Sequence, residues 1–330
     1  MARPTMARTE AGRLHLQALR PHGPARRASI VAAYVACSLA PNTQRAYVSD
    51  LRHFKKWGGC IPATPLQVAK YLAAHAKKLK VSTLIRRLAA IASAHAAIGR
   101  VSPTQSTLIR ATLRGIKRVH GMAQLQAKPI TLAMLRILVR PCAEHSGVRT
   151  ARDRALLLVG FAGGFRRSEL VRIAPADLAF SRSGVTVTLR RSKTDPHSHG
   201  RTVGLPYGLG SLCAVKALKH WLRILRRVCV DAESQPLFRR VDRYGLVGHA
   251  LGHAAVGSIL RDRMLANGLT ADGFSAHSLR AGLVTAAAQA GASTWAIQRQ
   301  TGHRSESTVH RYIRGISPFK MNASRTALRF

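Results

Sequence analysis

The stretch GVTVTLRRSKTDPHSHGRTVGLP, residues 184–206, decides the fold class. Val185, Val187 and Leu189 alternate with polar residues, and Val203 and Leu205 repeat the alternation after a turn-rich interval. Alternation with period two puts one face of each segment on a core, so the stretch reads as two short strands around a loop, a hairpin. On both sides the apolar spacing is helical instead. Helices are expected near 131–146, 151–162, 211–228, 253–267 and 277–290, giving a mixed α/β unit from 131 to 330.

Further upstream no strand pattern appears. In NTQRAYVSDLRHFKKW, residues 42–57, Tyr47, Leu51 and Phe54 recur at three- and four-residue spacing and share one helix face. Pro41-Asn42-Thr43 reads as its start. Thr64-Pro65 opens a second helix carrying Val68, Tyr71 and Leu72, and two more are expected near 81–98 and 104–119. Residues 28–122 therefore form an all-helical domain with a basic exterior. Residues 123–130, which contain Pro129 and no apolar stripe, read as a linker. Residues 1–27 read as a flexible basic arm. The apolar run 28–40 is interrupted by Tyr34 and Ser38 and follows a long polar stretch, so it reads as a first helix rather than a targeting signal. The expected fold class is mainly α with a small β-hairpin or sheet (α+β).

Charge narrows the function. Lys and Arg number 53 against 13 acidic residues, a formal net charge of +40. Such a chain repels itself unless a polyanion neutralises it, which points to double-stranded DNA as partner. With so few carboxylates, a two-metal nuclease site is not expected, and no metal or other cofactor is assigned. His249/His253 and His197/His199 lack acidic or cysteine companions and read as structural or solvated histidines. No glycine-rich phosphate loop supports ATP use. The five scattered cysteines, Cys37, Cys60, Cys142, Cys213 and Cys229, fit reduced thiols and a cytoplasmic location. No apolar run approaches the roughly 18 residues that span a membrane.

Phosphoryl transfer without a metal needs other cations to hold the nonbridging oxygens, a nucleophile, and an acid for the leaving oxygen. The second unit offers such a set. Arg166 lies in AGGFRRSEL (162–170), with Glu169 beside it. His277 and Arg280 form HSLR. His303 lies in TGHRSESTVHRYIR (301–314), and Tyr312 follows it by nine residues. Lys193 lies in the hairpin loop.

GFRRSEL, HSLR, TGH and the spaced tyrosine together resemble the tyrosine recombinase, or phage integrase, family. The segment 42–57 resembles that family's core-binding domain, and the resemblance covers about 40 to 320. It implies that Tyr312 attacks the scissile phosphate to form a 3′-phosphotyrosyl link, while Arg166 and Arg280 hold the nonbridging oxygens. Lys193 would protonate the leaving 5′ oxygen, His277 would act as acid or base near the tyrosine, and His303 would hydrogen-bond the phosphate. Glu169 would orient the site. Thr43, Arg45, Arg52, Lys55, Lys56, Arg86 and Arg87 are the expected DNA contacts of the helical domain. The resemblance further implies a homotetramer on two DNA sites, joined by the tail 315–330. Accessory DNA-bending proteins and a bacterial nucleoid setting go with it. Arg167 and Thr301 depart from the commoner family residues beside the first arginine and the GH pair. A type IB topoisomerase and an inactive DNA-binding relative are the alternatives.

Overall fold

The computed structural model describes residues 38–122, 126–140, 147–190, 200–233 and 235–312. The basic arm, most of the expected helix at 28–40, Lys193 and the tail 315–330 lie outside the described residues. The chain divides into two compact units, Met1–Gln124 and Leu125–Phe330.

The described part of the first unit is helical: α1 (Pro41–Lys56), α2 (Pro65–His75), α3 (Val81–Ala97) and α4 (Thr107–His120). Their starts follow from side-chain chemistry. Thr64 Oγ1 accepts from the Gln67 amide at 3.2 Å, and Ser106 Oγ accepts from the Ile109 amide at 3.3 Å. Each hydroxyl satisfies an amide that the helix leaves without a partner. Pro65 occupies the first turn of α2, where its missing N–H costs nothing. The core is Phe54, Val68, Tyr71, Leu72, Leu84, Leu88, Ile91, Ile109 and Ile116. The Phe54 ring meets Tyr71 edge-on at 4.9 Å, a favoured aromatic arrangement. Beside this core, Asp50 is buried on α1 and takes two bonds from Arg86 of α3, at 2.7 and 2.8 Å. Arg87 Nε lies 3.6 Å from the same carboxylate, and its Nη1 donates to Tyr71 Oη at 2.7 Å. Arg87 is buried. It ties α1, α2 and α3 together, which corrects its expected place as a DNA contact.

The second unit is built around α6 (Gly147–Gly163), against which α8 (Ala214–Val228) and α10 (His277–Gln289) pack. The hairpin is β2 (Gly184–Leu189) with β3 (Arg201–Pro206), antiparallel, pairing Leu189 with Arg201 at its loop end. Val185, Val187, Leu189, Val203 and Leu205 are buried, as alternation predicts. A third strand, β1 (Leu178–Phe180), pairs with β2, and β4 (Arg239–Val241) pairs with β5 (Val247–Ala250). These strands of three or four residues are too short to display a period, so the sequence pattern did not mark them. The remaining helices are α5 (Leu132–Leu138), α7 (Arg167–Leu170), α9 (Ala255–Leu265), α11 (Thr294–Thr301) and α12 (Glu306–His310). Trp221 on α8 is fully buried and its indole donates to Leu237 O at 2.9 Å.

Two expected boundaries move. α5 ends at Leu138 rather than continuing to 146. Pro141 has no amide to donate and disfavours helical geometry at Arg140. The expected linker 123–130 also shortens. Lys128 N donates to Gly273 O at 2.9 Å and Ile130 N to Ser278 O at 3.1 Å, with Ile130 fully buried, so this end belongs to the second unit.

Candidate active site

Four separate segments of the second unit meet around one buried carboxylate. α6 ends in a tight turn at Gly164, whose φ of +55° a side chain rarely adopts. An added Cβ there would come within 2.8 Å of Leu283 and Thr301. The turn delivers Arg166 to the start of α7. Glu169, buried on α7, accepts from the Arg166 amide at 2.9 Å and from its Nη1 at 2.6 Å. One carboxylate thus fixes both the backbone and the guanidinium of Arg166. The other end of that guanidinium donates from Nη2 to Gly302 O at 3.1 Å.

Arg280 comes from α10, three residues after His277. It is 2% exposed, and Nη1 donates to both Gly164 O and Thr301 O at 2.6 Å. Its Nη2 is buried with no hydrogen-bond partner among the described residues. Burial lowers the Arg280 pKa to about 10, and nearby Arg166 adds to the effect, while Glu169 and Tyr312 oppose it. The group stays charged at neutral pH. A buried guanidinium nitrogen without an acceptor is costly, and an anion in that place would relieve it.

Arg201 is the third guanidinium of the cluster. Its Nη2 lies 3.5 Å from Glu169, and it bonds to Gln300 O at 2.8 Å and Thr301 O at 3.2 Å. Three guanidiniums facing one carboxylate leave an excess of positive charge.

That excess acts on His303. Burial, then Arg280, Arg166, Arg201 and Arg311, depress its pKa to about 3. The imidazole is therefore neutral at pH 7. Arg280 Nε donates to His303 Nε2 at 3.3 Å. The ring proton then sits on Nδ1, 2.7 Å from Thr301 Oγ1, which donates in turn to Ile297 O at 2.6 Å.

Tyr312 follows α12. Its half-buried ring packs beside Val284, Ala288, Ile297 and Val309, with its centroid 5.3 Å from that of His303. Thr285 Oγ1, on α10, donates to Tyr312 O at 2.9 Å. The helix that carries Arg280 therefore anchors the backbone of the tyrosine as well.

Arg166, Glu169, Arg280, His303 and Tyr312 thus come together. His277 stands exposed at the start of α10. Lys193 lies outside the described residues. Arg201 and Thr301 were not marked in advance as site residues. Arg201 is one of several arginines flanking the loop, and only its contacts distinguish it from Arg190, which bonds to Asp177. In the first unit Arg45, Arg52, Lys55 and Lys56 are exposed along α1 with Thr43 partly so, and Arg86 is half-exposed while paired to Asp50.

This fold recurs in solved recombinases. A Tn1549 transposon integrase in complex with transposon right end DNA shares it at TM-score 0.63 and 16% identity, over 89% of this chain and 95% of that one. A XerH site-specific recombinase bound to palindromic difH substrate shares it at TM-score 0.61 and 18% identity, over 87% and 79%. The architecture is that of the tyrosine recombinases, enzymes that break and rejoin DNA. Residues 134–316 match the phage integrase family, and an integrase/recombinase xerD homolog of Selenomonas ruminantium is 37% identical over 298 residues, 87% of this chain and 85% of the relative. The chain belongs to the phage integrase family.

Proposed function

We propose that Tyr312 is the nucleophile of a site-specific strand exchange and that Arg166, Arg280 and His303 bind the phosphate it attacks. The observation that carries this reading is the Nη2 of Arg280, which has no partner among the described residues and is buried near Arg166, His303 and Tyr312. In the step, Tyr312 Oη bonds to phosphorus and the P–O5′ bond breaks. The tyrosine gives up its proton to His277 acting as base, and the 5′ oxygen takes one from Lys193, the role its family position implies. The product is a 3′-phosphotyrosyl ester. This ester keeps the energy of the cut bond, so attack by a 5′ hydroxyl reverses the step without ATP. Arg166 and Arg280 stabilise charge on the nonbridging oxygens. The phosphate's negative charge offsets the arginines and raises the affinity of His303 for a proton, so Nε2 becomes a donor to it. His277 exchanges a proton near the tyrosine, and Glu169 holds Arg166 in place.

The helical unit grips the duplex through Thr43, Arg45, Arg52, Lys55, Lys56 and Arg86. Two bound sites assemble into a homotetramer through the tail 315–330, with accessory DNA-bending proteins assisting. The work takes place in the cytoplasm, on the nucleoid. Among the described residues no helix is long and apolar enough to cross a membrane.

The test is covalent capture. A library of nicked random-sequence duplexes is incubated with the protein, and denaturation-resistant adducts are isolated and sequenced. Adducts linked at Tyr312, absent from Tyr312→Phe while binding persists, are expected. Adducts that survive in Tyr312→Phe would overturn the assignment.

A further inference from the structure

Arg201 opens the return strand of the hairpin, yet every hydrogen bond of its guanidinium reaches away from the sheet. Nη1 donates to Gln300 O at 2.8 Å, and Nη2 donates to Thr301 O at 3.2 Å and lies 3.5 Å from Glu169 Oε2. Thr301 O also accepts from Arg280, and Glu169 also holds Arg166. Arg201 therefore shares one acceptor with each of the two arginines assigned to the phosphate. Gln300 returns the connection, its Nε2 donating to Gly204 O on β3 at 3.1 Å. Two residues on, Gly302 has φ +69°, and a Cβ there would stand 2.9 Å from Arg201 Nε. The guanidinium lies directly against the turn that leads into His303.

We propose that Arg201 is a positioning residue of the cleavage site, clamping the 300–302 turn to β3 and so setting His303, and through Glu169 Arg166, against the scissile phosphate. The assignment rests on the reading of the site given above. It requires an arginine. Two carbonyls and a carboxylate lie around a planar fork, and an ammonium on a flexible stem cannot serve all three at once. Both Nη groups of Arg201 already donate to protein oxygens, and its Nε, set against Gly302, is the nitrogen without a partner among the described residues, whereas in Arg280 it is Nη2, at the outer end of the fork, that is unoccupied.

The experiment uses the full chain with Arg201→Met and Arg201→Lys, alongside His303→Ala and the Arg201→Met/His303→Ala pair. Circular dichroism first verifies that each is folded. On nicked duplexes recovered by the covalent capture, Arg201→Met is expected to slow adduct formation on the order of 100-fold, the cost of a misplacement near 1 Å. Its duplex affinity should stay within about 3-fold, since positioning acts after binding. Arg201→Lys should stay close to Arg201→Met. In the His303→Ala background the loss of Arg201 should cost far less, because one route to the phosphate is already gone. Without DNA, histidine NMR should show the His303 titration midpoint rising by roughly one pH unit in Arg201→Met, as the turn loosens and a nearby cation is lost. A wild-type cleavage rate in Arg201→Met, full rescue by Arg201→Lys, or an unmoved His303 titration would each overturn the clamp. Absence of any wild-type adduct would instead strike the reading of the site, and the NMR measurement would still decide the clamp.

Discussion

Glu169 receives both the amide and the guanidinium of Arg166, and it is buried beside Arg166 and Arg201. Glu169→Gln keeps the shape but removes the charge and one acceptor. Cleavage of the recovered duplex should fall on the order of 100-fold with binding nearly unchanged; equal rates in a single-turnover assay would refute the role. His303 gives a second prediction, in pH. Its folded pKa is about 3, below an ordinary histidine value of about 6.5. As pH falls through that window the unfolded chain takes up a proton that the folded chain refuses, so stability declines; above the window the residue contributes no slope. His303→Asn should therefore lose less stability than wild type between pH 7 and pH 4 in denaturant titrations. Parallel curves would show that the imidazole is not held neutral.

At the scale of elements, the turn between α6 and α7 and the α1–α3 pairing carry the argument. Gly164→Ala forces a side chain into left-handed geometry, a cost of about 1–2 kcal/mol, and crowds Leu283 and Thr301. Because Gly164 O accepts from Arg280, the variant should lose cleavage as well as melting temperature. A calorimetric melting temperature and a single-turnover cleavage rate both equal to wild type would contradict the turn's role. In the helical unit, Arg87→Met should destabilise by about 3 kcal/mol, since Asp50 and Tyr71 lose a buried partner. The salt dependence of DNA binding should be unmoved by it. Arg52→Met, on an exposed face of α1, should do the reverse. Exchanged outcomes would restore Arg87 as a DNA contact.

At the scale of the whole molecule, the excess of basic residues sets how the protein meets DNA. Each phosphate contact contributes about 0.9 to the slope of log K against log salt. Binding measured by fluorescence anisotropy should weaken on the order of 1,000-fold between 50 and 200 mM salt. A flat response would mean that the +40 charge is not spread over the duplex.

Residue types and their local spacing were enough to place the longer helices, the hairpin and the basic character, and the resemblance to a known family singled out Arg166, Glu169, Arg280, His303 and Tyr312. Periodicity and motif order are properties of neighbours along the chain, and the chain carries them unfolded. Contacts between distant segments are not. That Arg87 turns inward to Asp50 while Arg52 faces solvent depends on the packing of α3 against α1. That Arg201, among the arginines around one loop, reaches Gln300 and Glu169 depends on where the hairpin lies relative to α11. Both are long-range choices among arginines, and nothing in the surrounding sequence distinguishes one arginine from the next.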